Sequence, residues 1–250
     1  MDLAIIASGA TDIGQKRKSN QDSICLYTKR HFYVVADGMG GHNGGDIASQ
    51  MSVKLLPDYI ENNFDCMKAN ELLKESIIHV NQSIYDHSTQ HEELKGMGTT
   101  IAAIYFDGPN VNIANVGDSR TYLISKSKIY QMTRDHSLVQ EKLTMGLYDR
   151  EGAKADPQKN VLIRTVGYEP EVLVDVYQYK VARNDLFLIC SDGLHGKVSD
   201  EDILHIVNKH IPEPALADQT ALDQTVQALI DQANANGGQD NISAIIALAK

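Results

Sequence analysis

The chain has 250 residues, of which 42% are hydrophobic and 22% charged, as is usual for a globular protein with a substantial core. Its net charge of -10 and the lack of a Lys/Arg block argue against nucleic-acid binding, which needs clustered cations. The three cysteines form no C-x-x-C pair, the N-terminus has no basic signal-peptide region, and no apolar run approaches the ~20 residues of a membrane span. We therefore expect a cytoplasmic protein without disulfides, zinc site or membrane segment.

Short apolar runs near the start of the chain predict β-strands at 3–7, 23–27 and 32–36. Two amphipathic helices follow, because apolar residues recur there every third or fourth position. Pro57 lies within the first helical pattern and predicts a kink or a break. We interpret both apolar stripes as core faces. They consist of Ile47, Met51, Leu55 and Tyr59 in the first helix and of Leu73, Ile77, Val80 and Ile84 in the second.

Closely spaced strands then return, which is typical of antiparallel sheets joined by hairpins. Residues 136–160 are polar and irregular apart from a short helical pattern, and we expect them to form a mobile flap. Because no linker divides the chain, we predict a single α+β domain over 1–250, a four-layer α-β-β-α sandwich of two antiparallel sheets flanked by helices. The further predicted strands are 99–106, 111–116, 121–125, 128–132, 172–181, 185–190 and 242–248, and the further helices are 200–209 and 221–235.

Several predicted strands begin or end at an aspartate. Asp37 and Asp192 each end a strand and precede a glycine, Asp240 stands where the last strand begins, and Asp22 and Asp118 lie at two further boundaries. Because the end of one antiparallel strand lies beside the start of its neighbour, we expect Asp37, Asp192 and Asp240 to meet at one edge. Any one of them is readily explained as a turn residue. Together they favour a site for Mn²⁺ or Mg²⁺, whose charge balances converging carboxylates.

Eight motifs extend these observations over nearly the whole chain, from Thr11 to Ser243. They are TDIGQKRKSNQD, VVADGMGGHNGGDIAS, GMGTT, ANVGDSRTYL, TRDHS, NVLIRTVG, ICSDGL and GGQDNIS. In this order they resemble the motifs of the type 2C, metal-dependent protein serine/threonine phosphatases, and most closely those of the compact bacterial members. The resemblance implies an α-β-β-α sandwich with a dinuclear Mn²⁺/Mg²⁺ centre that hydrolyses phosphoserine and phosphothreonine in proteins.

The resemblance also implies roles for individual residues of the centre. Asp37 bridges both ions, the Gly38 carbonyl binds one of them, and Asp192 and Asp240 complete the shell of the other. Asp22 acts mainly by orienting metal-bound water. The two ions lower the pKa of a bridging water, and the resulting hydroxide attacks phosphorus in line without a covalent enzyme intermediate.

Three further positions decide how far the resemblance extends. Arg17 matches the arginine that grips the substrate phosphate, although outside its motif it reads as an ordinary surface arginine. Asp118 matches a ligand of a third ion, but Gly196 stands where some relatives have an acidic ligand, so we expect a weaker third site. Met39 replaces a histidine thought to protonate the leaving group in eukaryotic members. The general acid is therefore left open between His42, which fits a solvent-facing helix entry equally well, and a metal-bound water.

The expected substrates are phosphorylated proteins, and by family analogy a bacterial Ser/Thr kinase is the opposing enzyme. We expect a monomer that binds neither nucleic acid nor membrane. One alternative is a pseudophosphatase that only binds phosphopeptides, which the complete aspartate set disfavours. Another is a phosphatase of a sigma-factor partner-switching cascade, but such members usually carry sensory domains, for which we expect no room in this chain.

Overall fold

The computed structural model describes residues 3–40, 44–149, 152 and 156–250. Its strands form two antiparallel sheets. The first sheet has the order β1-β11-β10-β7-β8, and the second has the order β2-β3-β5-β6-β9, with β4 paired to β3. The strands are β1 (Ile5–Asp12), β2 (Asp22–Tyr27), β3 (Phe32–Met39), β4 (Gly98–Thr99), β5 (Ile101–Asp107), β6 (Asn110–Val116), β7 (Arg120–Ser125), β8 (Lys128–Gln131), β9 (Asp175–Lys180), β10 (Leu186–Cys190) and β11 (Ile242–Ala249).

Helices cover the outer faces of both stacked sheets. Helices α1 and α2 pack on the second sheet, and α5 and α6 pack on the first. The shorter α3 lies in the predicted flap, and α4 is a single turn directly after β10. This arrangement confirms the predicted four-layer α-β-β-α sandwich. The helices are α1 (Gly45–Asn63), α2 (Ala69–Gln90), α3 (Leu138–Thr144), α4 (Asp192–His195), α5 (Asp200–His210) and α6 (Gln219–Ala235).

The alternation of side chains along each strand divides the core into layers. On β3, Phe32 and Val34 face α1 and α2, whereas Tyr33 and Val35 face the first sheet. Residues of the first sheet, such as Phe187 on β10, pack against Tyr33 and Val35 and complete the central layer of the core. Because both faces of β3 are buried, its sequence is a continuous apolar run that ends in the polar site described below.

Helix α1 runs through Pro57 without the break that was one of the two predicted outcomes, since buried residues on both sides of the proline offset the ~3 kcal/mol that an interior proline costs. The buried face of the helix also differs from the prediction. Its fully buried line is Ala48, Ser52, Leu56 and Ile60, one position further along the chain than the predicted stripe, which is only partly buried. In α2, by contrast, all four predicted core residues are buried. Among the described residues, no helix is both long and apolar enough to cross a membrane.

Candidate metal centre

The predicted carboxylates come from both sheets and gather at one end of the sandwich. Asp37 lies within β3, directly opposite Asp22 on β2, in the second sheet. Asp192 follows β10 and Asp240 lies just before β11, in the first sheet. The expectation that Asp37, Asp192 and Asp240 meet along one sheet edge is therefore wrong, because β3 pairs with β2, β4 and β5. They meet across the two layers, where β11 packs against β2 and β3.

Burial and mutual repulsion shift the acidity of this cluster. Burial, reinforced by the charges of Asp192 and Asp240, raises the pKa of Asp22 to about 6. Burial and the charge of Asp240 raise the pKa of Asp192 to about 6, against a hydrogen bond with Asp37 that acts in the opposite direction. The pKa of Asp37 is raised well above its ordinary value, first by burial and then by the surrounding carboxylates. The cluster therefore carries repulsion that a cation would relieve.

Asp118 extends the cluster to the segment between β6 and β7. Burial and the charge of Asp192 raise the pKa of Asp118 to about 8. The backbone carbonyl of Asp118 accepts a hydrogen bond at 3.0 Å from Nε2 of His195 on α4. Burial lowers the pKa of His195 to about 3, so the imidazole that donates this bond is neutral. At the predicted position of a further acidic ligand, Gly196 offers only its backbone, whose N–H donates to the Asp192 carbonyl at 2.8 Å.

The donor atoms present fit a hard divalent cation. Within the described part of the chain, Oδ1 of Asp22 and Oδ1 of Asp192 are buried without a hydrogen-bond partner. Such oxygens are costly unless an ion or water satisfies them, and an all-oxygen donor set suits Mn²⁺ or Mg²⁺. Residues 3–40, 44–149, 152 and 156–250 contain no three His, Cys, Asp or Glu side chains already drawn together as the ligands of one ion. Mg²⁺ keeps several water ligands, so its binding does not require three such side chains already drawn together.

Arg17 lies at the solvent side of the cluster. Its Nη2 donates to Oδ2 of Asp240 at 2.7 Å, and the two side chains are 49% and 34% exposed. The hydrogen bond to Asp240, together with the charges of Asp37 and Asp192, raises the pKa of the Arg17 guanidinium. Arg17 therefore presents a permanent positive charge at the mouth of the predicted site.

The glycines that follow two of the aspartates allow close backbone packing. A Cβ on Gly38 would lie 2.0 Å from the carbonyl oxygen of Gly45 at the start of α1. A Cβ on Gly193 would lie 1.9 Å from the carbonyl oxygen of Asn241. Any larger residue would push apart the elements that carry Asp37, Asp192 and Asp240.

Sequence reasoning missed the polar residues that hold this end of the sandwich. The hydroxyls of Ser191 and Ser243 donate to Oδ2 of Asp22 at 2.8 and 2.7 Å. Asn241 accepts from the Gln21 backbone N–H at 2.9 Å, and its amide donates to the Ile13 and Ser19 carbonyls, so it pins the loop that carries Arg17. The available signal was their position, since Ser191 precedes Asp192 and Asn241 follows Asp240 in the chain.

The predicted flap is described in part, since residues 150–151 and 153–155 lie outside the described residues, as does His42. Its base is tied by an isolated bridge between Ser137 and Leu162. Within it, Lys142 Nζ donates to Oδ2 of the buried Asp156 at 2.8 Å. The flap is less polar at its surface than expected, because Met145 and Leu147 are 68% and 66% exposed. Its mobility stays a prediction.

Comparison with known proteins assigns the chain to one family. The family model "Protein phosphatase 2C" matches residues 11–247. A serine/threonine phosphatase named stp from Listeria welshimeri is 37% identical over 242 residues, which is 94% of this chain and 92% of that protein. The chain therefore belongs to the protein phosphatase 2C family.

Solved structures agree with this assignment. The serine/threonine phosphatase of S. agalactiae has a TM-score of 0.87 and 35% identity, and the match covers 99% of this chain and 100% of that one. The catalytic domain of the serine/threonine protein phosphatase PstP in complex with two manganese ions has a TM-score of 0.84 and 29% identity, covering 99% of each chain. The protein is accordingly a serine/threonine phosphatase, as the motifs predicted.

Proposed function

We propose that the protein hydrolyses phosphoserine and phosphothreonine in proteins with two Mn²⁺ or Mg²⁺ ions. Asp37 and the Gly38 carbonyl would hold one ion, and Asp37, Asp192 and Asp240 would hold the other. The observation that carries this proposal is that Oδ1 of Asp22 and Oδ1 of Asp192 are buried without a hydrogen-bond partner in the described structure, within a cluster of carboxylates of raised pKa. A cluster that only stabilised the fold would have neither partnerless buried oxygens nor carboxylates of raised pKa.

The chain's own residues have distinct tasks in this proposal. When bound, the ions lower the pKa of water and balance the charge of the phosphoryl oxygens. Asp22 is fixed by two serine hydroxyls through one oxygen, and its other oxygen can accept a hydrogen bond from water. Arg17 can donate two parallel hydrogen bonds to phosphate, which a lysine cannot. Its bond to Asp240 holds it beside the cluster before substrate arrives.

The cysteines do not suit a covalent mechanism. Cys190 is fully buried, and burial strongly raises the pKa of its thiol. Burial also raises the pKa of Cys25, so neither thiol forms the thiolate that a nucleophile requires. Cys66 is exposed in the turn between α1 and α2, a segment that carries no carboxylate of the cluster. Direct attack by water is the mechanism that these residues favour.

The exposed apolar surface of the flap suits a protein substrate. Three exposed apolar side chains, Met145, Leu147 and Tyr148, follow α3 in the flap. We propose that the flap gates access by phosphorylated proteins more than by small phosphate esters. A Ser/Thr kinase that phosphorylates the same substrates, a monomeric state and a cytoplasmic location complete the proposal. A phosphopeptide-binding pseudophosphatase is the disfavoured alternative, because a binding module has no need of the complete aspartate set.

The test is hydrolysis of a phosphothreonine peptide and of p-nitrophenyl phosphate by chelator-treated protein, with and without added Mn²⁺. We expect negligible turnover of either substrate until Mn²⁺ is restored. Peptide binding without hydrolysis at any Mn²⁺ concentration would support the pseudophosphatase. Full turnover in the presence of excess chelator would contradict the metal-dependent mechanism.

A further inference from the structure

The backbone of Asp37 is clamped by a threonine that belongs to no strand. Thr100 lies between β4 and β5, and it is 2% exposed. Its Oγ1 accepts a hydrogen bond from the Asp37 N–H at 3.0 Å, and its own N–H donates to the Asp37 carbonyl at 2.8 Å. The hydroxyl of Thr99 donates to the same carbonyl at 2.9 Å. Both backbone groups of Asp37 are therefore held by this short segment.

The same threonine also reaches both neighbours of Asp118. Its hydroxyl lies 2.7 Å from the hydroxyl of Ser119, which is fully buried. On the other side, Gly117 has a φ of +104°, and a Cβ there would lie 2.5 Å from the Thr100 methyl group. Thr100 thus straddles Asp118, with its hydroxyl toward residue 119 and its methyl group against residue 117.

We infer that Thr100 is a positioning residue that fixes Asp37 and Asp118 relative to each other through the Thr100–Ser119 hydroxyl pair. This inference rests on the proposed metal centre, in which Asp37 serves the two core ions and Asp118 serves the weaker third. Partners that orient metal ligands commonly contribute as much as about 10- to 100-fold in metal affinity. Threonine suits the position because one side chain supplies both the hydrogen-bonding oxygen and the methyl group that packs on Gly117.

The experiment compares four variants with the wild-type protein. Thr100→Val keeps the shape and removes the hydroxyl, and Thr100→Ser keeps the hydroxyl and removes the methyl group. Ser119→Ala leaves the clamp on Asp37 intact but cuts its connection to Asp118. Thr121→Val is the matched control, because Thr121 is fully buried in β7 and, in the described structure, its hydroxyl has no hydrogen-bond partner.

The readouts are Mn²⁺ binding by calorimetry and amide hydrogen exchange at Asp37 in the metal-free protein. Thr100→Val should weaken Mn²⁺ binding by about 10- to 100-fold and accelerate exchange at the Asp37 amide, which loses its acceptor. Thr100→Ser keeps the hydroxyl, so its Mn²⁺ affinity and its exchange rate at the Asp37 amide should match those of the wild type. Thr121→Val should also change neither value. Ser119→Ala should leave the Asp37 amide protected and the tight Mn²⁺ sites unchanged, and weaken only the last, weakest binding step.

The outcomes separate this inference from the proposed function. If wild-type protein binds no Mn²⁺, the metal centre fails and the inference fails with it. If wild-type protein binds Mn²⁺ and Thr100→Val binds it equally well, the metal centre stands and the inference is overturned. If Thr100→Val does not fold, Ser119→Ala decides, and an unchanged weak binding step in that variant would also overturn the inference.

Discussion

Two clusters of charged residues meet between β6 and β7, and their charges are balanced in different ways. Arg120 on β7 donates to Asp135 through Nε at 2.9 Å and Nη2 at 2.7 Å, and Gln131 adds a third donor to the same carboxylate. Two residues earlier in the chain, Asp118 belongs to a cluster in which burial and like charges raise the pKa of every buried carboxylate. There Oδ1 of Asp192 has no hydrogen-bond partner in the described structure.

The contrast separates charges that serve the fold from charges that serve a ligand. The Arg120–Asp135 pair is satisfied within the chain, and removing one partner would leave a buried charge uncompensated. The carboxylate cluster keeps two buried oxygens without a partner in the described structure, Oδ1 of Asp22 and Oδ1 of Asp192, and removing one member relieves repulsion. Loss of an aspartate should therefore have opposite effects on stability in the two regions.

The largest expected effect is on turnover in Asp192→Asn. We expect kcat/KM to fall by more than about 100-fold, beyond the usual loss from an outer-shell partner, because the variant lacks a proposed metal ligand. The metal-free variant should nevertheless be more stable than wild type at neutral pH, since one buried negative charge is gone. Steady-state kinetics and urea unfolding measure the two effects.

Asp231→Asn on the exposed face of α6 is the control, and it should change neither value. Near-normal Mn²⁺-dependent activity of Asp192→Asn would show that Asp192 is not a metal ligand.

The next effect concerns the satisfied region. Asp135→Ala should destabilise the metal-free protein by up to about 3–5 kcal/mol, because Arg120, whose side chain is only 24% exposed, is left without its partner. Urea unfolding measures this loss. Glu141→Ala, which breaks the exposed pair with Arg134, is the control and should cost less than about 1 kcal/mol. Equal losses in the two variants would remove the distinction between the regions.

A smaller effect is expected at the mouth of the cluster. If Arg17 binds the substrate phosphate, Arg17→Ala should raise KM and lower kcat/KM on a phosphopeptide by about 10- to 100-fold, the value of a charge-assisted hydrogen bond. Lys18→Ala tests whether any exposed cation in this loop would serve, and it should have little effect. Unchanged kinetics in Arg17→Ala would make Arg17 an ordinary surface residue.

The smallest effect is the pH dependence of the metal-free protein. Asp22 and Asp192 have a pKa of about 6 in the fold and an ordinary value of 3.8, so folding favours their protonated forms. Their contribution to stability is therefore lost as pH rises from about 4 through about 6. His195 acts oppositely, because its pKa is lowered to about 3 and its contribution to stability is lost as pH falls from about 6.5 to about 3.

A comparison of Asp192→Asn with the wild-type protein measures how much of this pH dependence comes from Asp192 and the carboxylates around it. The stability gained by Asp192→Asn over the metal-free wild type should shrink as the pH falls from about 7.5 to about 4.5, because wild-type Asp192 then becomes neutral too. Groups outside the cluster cancel in the difference, whereas Asp22, Asp37 and Asp118 contribute to it, because the charge of Asp192 raises their pKa. Urea unfolding at each pH measures the difference. A gain that is constant across this range would contradict the raised pKa of Asp192.

Local sequence patterns predicted the elements well but not how the layers combine. The alternating strands and the stripe on α2 follow from period and burial, which are local properties. Residues such as Asp37 and Asp192 could be singled out because aspartate ends an apolar run in each case. Their meeting across stacked sheets depends on topology, which a strand-edge argument along one sheet cannot supply.

Supporting residues were the hardest to predict. Thr100 and Ser119 are small hydroxyl residues whose importance depends on partners 63 and 19 residues away. In the sequence, Asp118 and Arg120 are both charged residues that follow a predicted strand. Their partners in the fold distinguish them, because Asp118 joins the carboxylate cluster and Arg120 pairs with Asp135. The buried face of α1 was predicted one position too early in the chain, because two of its core residues, Ala48 and Ser52, carry little hydrophobic signal.

The most direct test of the central claim follows unfolding of chelator-stripped protein as Mn²⁺ is added. A ligand that binds only the native state adds about 2.7 kcal/mol of stability at 100 times its Kd. We predict that the unfolding temperature of the wild-type protein rises continuously with Mn²⁺ concentration, and that the metal-free Asp192→Asn variant starts higher and responds much less. An unfolding temperature of wild type that is indifferent to Mn²⁺, or an equal rise in both proteins, would contradict the account.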